Sequence, residues 1–246
     1  MINTFYRFDF KYRISRQLAS ILKGELEHFG MKPDEYAEKT ATKSYVVNSL
    51  YFDSLLMDDY FDKTGGFLER KKVRARIYEP FMKDSPVVWL EMKMKHDIAV
   101  RKERVSLTLP EWSLLQKSGA YWKVAGLKSP EERKVFENIA FRIVGDNMRP
   151  QTIIRYERKP LVYRHVEEVR VTFDWNLETC RADNLGYNPV YSPFLHHDQT
   201  IMEIKFQTLL PVWLREIIEK FDLRRDAFSK YGYGLEELNR YISIPR

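Results

Sequence analysis

Along much of this chain apolar and polar side chains alternate with a period of two, and the stretches between fall into the 3.6-residue spacing of helices. Phe5 to Arg13 sets Phe8, Phe10 and Tyr12 against Arg7, Asp9, Lys11 and Arg13, which predicts a strand with one aromatic and one charged face. Leu68 to Tyr78 sets Lys72, Arg74, Arg76 and Tyr78 against Val73, Ala75 and Ile77. The same pattern runs through Ser44–Asp53, Val87–Lys95, Ile98–Leu109, Gln151–Lys159, Glu167–Trp175 and Thr200–Gln207. Around Arg101 and Glu103 the alternation blurs, and a bulge is expected there.

The predicted helices carry start signals. Ser15 caps Leu18, Ile21, Leu22, Leu26 and Phe29, and Asp53 or Ser54 caps a short helix that ends at Gly65-Gly66. Pro110-Glu111 and Pro130-Glu131-Glu132 open two more, the second bearing Val135, Ile139, Phe141 and Ile143. Pro211 opens one with Leu214, Ile217, Ile218 and Phe221, and a short helix is predicted over Leu235–Tyr241.

Eight mostly adjacent strands with short connections predict an α+β fold, an eight-stranded antiparallel β-barrel tunnel with covering helices, as a single domain over residues 1–246. Helices with apolar stripes need an apolar wall, so they belong outside and the charged faces turn into the lumen. That lumen would be lined by Lys11, Arg74, Arg76, Lys93, Arg104, Arg158 and Lys205, with Glu91 and Glu203 among them. Like charges in rows repel unless an anion compensates them, and a phosphate chain accepts from several Arg forks at once. Carboxylates there would hold Mg²⁺ or Mn²⁺ through hard oxygen ligands.

Composition narrows the partners. The formal charge of the 246 residues is +6 with a pI near 9.2, which favours polyanions. A lone Cys180 allows no internal disulfide and no multi-cysteine metal site, and no apolar run approaches membrane-spanning length. A cytoplasmic protein with no signal peptide and no membrane segment of its own is expected. His196-His197-Asp198 sits in a Pro/Asn loop without a spaced third ligand and reads as surface, while Gly65-Gly66 and Tyr231-Gly232-Tyr233-Gly234 read as turns. Nucleic acid is not expected, because the predicted aromatics Phe8, Phe10 and Phe173 lie opposite the cations. Tyr156 and Trp89 are exceptions that could stack on a nucleotide base.

Arg7-Phe-Asp-Phe-Lys11-Tyr, Ser49-Leu-Tyr-Phe-Asp53, Arg74-Ala-Arg76-Ile-Tyr, Leu90-Glu-Met-Lys93, Met202-Glu-Ile-Lys205-Phe and Ser229-Lys230-Tyr occur in that order over more than two hundred residues. Together they resemble the VTC domain, the polyphosphate polymerase branch of the triphosphate tunnel metalloenzymes. The resemblance implies a nucleoside triphosphate and polyphosphate bound by the basic wall, with a metal, typically Mn²⁺, on a glutamate. By position, Lys11, Arg74, Arg76, Lys93, Arg104 and Arg158 match phosphate-binding residues of the family, and Tyr156 a phosphate-contacting tyrosine. Glu203 matches the metal ligand, and Ser229 and Lys230 a pair that closes over the tunnel. Ala227 stands where another basic residue is expected. Arg7, Asp9 and Lys11 replace the two glutamates and lysine common in the wider superfamily, a departure that favours phosphate transfer over cleavage. Lys93, Arg158 and Lys205 are the expected catalytic cations. A triphosphatase and a non-catalytic polyphosphate- or nucleotide-binding module are the alternative readings. The nucleotide, the acceptor, a membrane partner that carries product away and the oligomeric state stay open.

Overall fold

The computed structural model describes residues 8–97, 99–164, 168–186 and 190–239. β1 (Phe8–Ser15) leads into α1 (Arg16–His28), which starts where the Ser15 hydroxyl accepts from the Leu18 amide. β2 (Lys32–Pro33) and α2 (Glu35–Glu38) precede β3 (Tyr45–Asp53), and α3 (Asp58–Thr64) precedes β4 (Glu69–Ile77). A single 3₁₀ turn at Met82–Asp84 leads to the hairpin of β5 (Val88–His96) and β6 (Ala99–Leu107). Then come α4 (Leu109–Ser118), α5 (Tyr121–Gly126) and α6 (Pro130–Gly145), followed by the long β7 (Arg149–Arg164) and β8 (Glu168–Arg181). β9 (Ser192–Pro193), β10 (Gln199–Phe206), α7 (Val212–Lys220) and α8 (Lys230–Asn239) complete the chain. The first residues of the predicted opening strand, Arg7 included, and the end of the predicted last helix lie outside the described residues.

The ladder order is β1-β10-β8-β7-β3-β4-β5-β6, every pairing antiparallel, with β2 added to β7 and β9 to β8. This sheet rolls up so that β1 comes beside β6. Among the described residues no ladder joins those two strands, and the Lys93 ammonium spans the seam to Asp9 at 2.6 Å. The bulge expected near Arg101 does not form: β5 and β6 pair in unbroken register from Val88↔Leu107 to His96↔Ala99. Arg101 instead pairs with Glu103 at 2.6 Å, and Asn138 of α6 donates to the same Glu103 from outside the barrel. A register shift does occur between Arg155 and Glu157, and there Tyr156 turns into the lumen.

Apolar faces point outward and are covered as expected. Leu22 and Leu26 of α1 and Leu214 and Ile217 of α7 pack on Val169, Val171, Phe173 and Met202. Trp112, Val124, Phe136 and Ile139 from α4, α5 and α6 cover Val73, Ala75, Leu90 and Val105 on the opposite side. Phe141, placed on the apolar stripe of its helix by spacing, is 79% exposed, because the stripe that reaches the sheet is Phe136, Ile139, Ala140 and Ile143. α8 lies against β7 and β8. Gly234 permits this contact: a Cβ there would stand 2.3 Å from Ile154 Cδ1 and 3.2 Å from Thr179 Oγ1.

Candidate functional site

The rolled sheet encloses a cavity of about 440 Å³. Its described lining carries fourteen Lys and Arg against three carboxylates, Asp9, Glu203 and Asp226, a net of +11, where the whole chain sums to +6. Lys11, Arg74, Arg76, Lys93, Arg104, Tyr156, Arg158, Glu203, Lys205, Ser229 and Lys230, all expected at the site, line it. They come from β1, β4, β5, β6, β7, β10 and the start of α8, so only the rolled sheet brings them together.

Period-two geometry places the cations in cross-strand rows. Lys72 is register partner of Lys93, Lys93 of Lys102, and Arg70 of Lys95. Behind the rows stand carboxylates that orient them. Glu91 is fully buried, and its two oxygens take Arg74 at 2.7 Å and Lys102 at 2.9 Å. Asp174, equally buried, accepts Arg158 through Nε at 2.6 Å and Nη2 at 2.8 Å, and Lys230 at 2.7 Å. Arg76 donates to Ser49 Oγ at 2.8 Å and to the Tyr156 hydroxyl at 3.3 Å. Each Arg is thereby aimed before a ligand arrives, which lowers the ordering cost of binding.

Burial and crowding shift the ionisable groups. Burial would raise the carboxyls of Glu91 and Glu203, but Arg74 and Lys102 hold the first, and Lys205 and Lys11 the second, well below the ordinary range. Asp174, opposed by burial, is drawn down to about 2 by Arg158 and Lys230. Burial brings Lys11, Lys72 and Lys102 down to about 8, against the pull of Glu203, Tyr51 and Glu91 respectively. Tyr51, which burial alone would raise, is brought down to about 8 by Arg74 and Arg76, and its hydroxyl accepts from Arg74 Nη1 at 3.0 Å.

For a metal, the two expected carboxylates differ. Glu203 lines the cavity, 5% exposed, with Lys205 at 3.0 Å and Arg158 at 3.9 Å. Glu91 does not reach the lumen surface, and its oxygens are committed to Arg74 and Lys102. Among the described residues no group of three or more His, Cys, Asp and Glu gathers into a metal site. One buried carboxylate facing a strongly basic wall is a hard oxygen donor of the kind that suits Mg²⁺ or Mn²⁺.

Tyr51, Lys102 and Asp174 were not assigned roles from the sequence, although Ser49, Tyr51 and Asp53 are in phase on one predicted strand, Lys102 and Arg104 on a second, and Arg170 and Asp174 on a third. Cys180 is buried, and burial pushes its thiol up to about 11, so it stays outside the chemistry. His196 pairs with Asp198 in an exposed loop, as the surface reading expected. No helix among the described residues is long and apolar enough to cross a membrane.

Two solved structures share this architecture. One is a protein of Bacillus halodurans described provisionally as an adenylate cyclase, 14% identical, covering 96% of this chain and 97% of its own, with a TM-score of 0.50. The other, from Hippeastrum, is described provisionally as an adenylyl cyclase with a dominant triphosphatase activity; it is 18% identical, covers 94% of this chain and 96% of its own, and has a TM-score of 0.52. At such identities the likeness is one of fold, the triphosphate tunnel. No curated protein matches the sequence significantly. The family model of the VTC domain matches residues 6–239, nearly the whole barrel and its closing helix, and on that match the chain belongs to the VTC domain family.

Proposed function

We propose that this protein is a polyphosphate polymerase, moving the γ-phosphate of a nucleoside triphosphate, ATP foremost, onto the terminal phosphate of a growing chain inside the tunnel. The observation that favours transfer over hydrolysis is that all three carboxylates of the described lining are ion-paired: Asp9 with Lys93 at 2.6 Å, Glu203 with Lys205 at 3.0 Å and Asp226 with Arg13 at 3.1 Å. Activating water needs a basic carboxylate, and Glu203 is held well below the ordinary carboxylate range by Lys205 and Lys11. A phosphate nucleophile is already anionic and needs no such base.

Catalysis then rests on position and charge. Arg74 and Arg76 grip the triphosphate, while Lys11 and Arg104 add donors from the facing strands. Lys93, Arg158 and Lys205 neutralise the charge spread over the transferred group. Ser229 and Lys230, at the start of α8, close the lumen from one side. A divalent ion on Glu203, Mn²⁺ or Mg²⁺, would supply further charge withdrawal from the phosphate oxygens. Glu91, expected as a second metal ligand, is assigned instead to aiming Arg74.

Product analysis tests the reading. Incubation with ATP and Mn²⁺ should yield acid-insoluble phosphate polymer, and Arg74→Ala should lower the yield by on the order of 100-fold. Orthophosphate as the sole product would establish a triphosphatase, the activity described for the Hippeastrum structure. Saturable ATP binding with no turnover at any metal concentration would establish a binding module.

A further inference from the structure

The proposed substrate carries a base and a sugar as well as phosphates, and among the described residues six aromatic rings border the cavity. Four of them have covered faces. Tyr156 lies between Arg158, 5.2 Å from its centroid, and Lys230 at 5.0 Å. Tyr51 and Tyr231 stack on each other at 4.9 Å, with Lys72 4.7 Å from the Tyr231 centroid, and Phe228 stacks on Tyr233 at 4.5 Å. Trp89, expected as a base-stacking ring, does not line the cavity, and Arg104 sits 4.4 Å from its centroid.

Tyr45 and Tyr78 remain. They meet nearly perpendicular, 89° at 5.6 Å, and Tyr36 meets Tyr45 at 87° and 4.9 Å. An edge-to-face contact occupies one face of one ring, and Arg76, 5.9 Å from the Tyr78 centroid, lies farther off than the cations that cover Tyr156. The rings are held in place by their neighbours: Arg170, itself part of the lining, donates to Asp34 at 2.6 Å and to the Tyr45 hydroxyl at 3.4 Å, and Tyr36 donates to Glu79. Asp34 is itself fixed by capping α2 through the Ala37 amide at 2.8 Å.

These tyrosines also stand at one end of the tunnel. Along β4, Tyr78 is four residues beyond Arg74, about 13 Å at the rise of a strand, a distance that a ribose and three linked phosphates can bridge. Arg70 lies eight residues from Tyr78, at the other mouth with its register partner Lys95, and that end is a rim of cations. The two mouths therefore differ in chemistry.

Resting on the triphosphate reading above, we infer that the Tyr45–Tyr78 mouth is a nucleoside subsite: the base stacks on Tyr78, Arg170 lies beside the sugar, and the phosphates point inward to Arg76 and Arg74. Stacking tolerates any base, so ATP and GTP should bind within a few-fold of each other.

Calorimetric titration of ATP and of inorganic tripolyphosphate into the parent, Tyr78→Ala and Tyr78→Phe chains tests this. Tyr78→Ala should weaken ATP by about tenfold while leaving tripolyphosphate unchanged, and Tyr78→Phe should keep both affinities. Unchanged tripolyphosphate affinity also reports that the barrel is folded. Equal losses for the two ligands, or ATP binding indifferent to Tyr78→Ala, would overturn the subsite while leaving the phosphate tunnel standing. Failure of both ligands to bind the parent would overturn the triphosphate reading and the subsite with it.

Discussion

Replacing Glu91 by Gln separates an orienting carboxylate from a metal ligand. The side chain is 1% exposed and carries two ion pairs, to Arg74 at 2.7 Å and to Lys102 at 2.9 Å, whose own side chains are 16% and 22% exposed. Removing one partner of a buried pair leaves charge uncompensated, at a cost of about 3–5 kcal/mol, and a Gln that retains some hydrogen bonding belongs at the lower end. For a chain of this size that corresponds to a melting point lower by roughly 6–12 °C. The loss should appear in chelator-treated protein, because it arises from Arg74 and Lys102 and not from an ion. It should also be pH-dependent. The Glu91 carboxyl is held well below its ordinary value in the folded state, so its contribution is present above the unfolded value near 4.5 and fades as acid protonates the folded form. Parent and variant curves should therefore converge on acidification. Polyphosphate should restore part of the difference, since it offers Arg74 a substitute anion. The assay is denaturant unfolding with and without ligand and metal. A variant that unfolds with the parent's midpoint in chelator, yet loses stabilisation by Mn²⁺, would refute this account and return Glu91 to the metal.

Two further outcomes follow from the geometry. With Lys11, Lys72 and Lys102 brought down to about 8 in the free protein, a bound polyanion restores their affinity for protons. Binding at pH 8 should take up between one and two protons, roughly half of one for each of the three lysines, read as a buffer-dependent heat in calorimetry, and affinity should fall as pH rises through 8; no proton exchange would contradict the burial of these lysines. Gly234→Ala should destabilise the protein by about 1–2 kcal/mol in chemical unfolding, the steric cost against Ile154 exceeding the helix-propensity gain, whereas Gly232→Ala, with its nearest contact at 3.4 Å, should not.

The barrel was legible because strands write their two faces into alternate residues: Lys72, Arg74 and Arg76 could be assigned to one side of β4 with no neighbour known. Helix starts were legible for a similar local reason, Ser15 capping α1 and Pro130 opening α6 as expected. What alternation does not encode is depth. Glu91 and Lys93 share a face, yet one is sealed beneath Arg74 and the other reaches Asp9 across the seam, because cross-strand partners decide which charge is covered. Tyr78 was placed in phase with Lys72, Arg74 and Arg76 but given no role, and Tyr45 went unassigned, because the two come together only when β3 pairs with β4, with Tyr36 joining them from α2. The full length of β7 and β8 also lay hidden: the predicted strands stopped at Lys159 and Trp175, short of the extended hairpin that carries α8.

The placement of charge changes what the basic isoelectric point means. A lining of +11 within a chain of +6 leaves the rest of the sequence with a net of −5. Part of that remainder is the buried Glu91, Asp174 and Asp59, so the basic isoelectric point reports the lumen and its mouths more than the outer surface. A nucleic-acid duplex is too wide to enter a 440 Å³ cavity, whereas the proposed guest, a single-file chain of phosphates, is thin enough to thread between the strands. Under that proposal, selection between the two polyanions is made by width at the mouth of the tunnel.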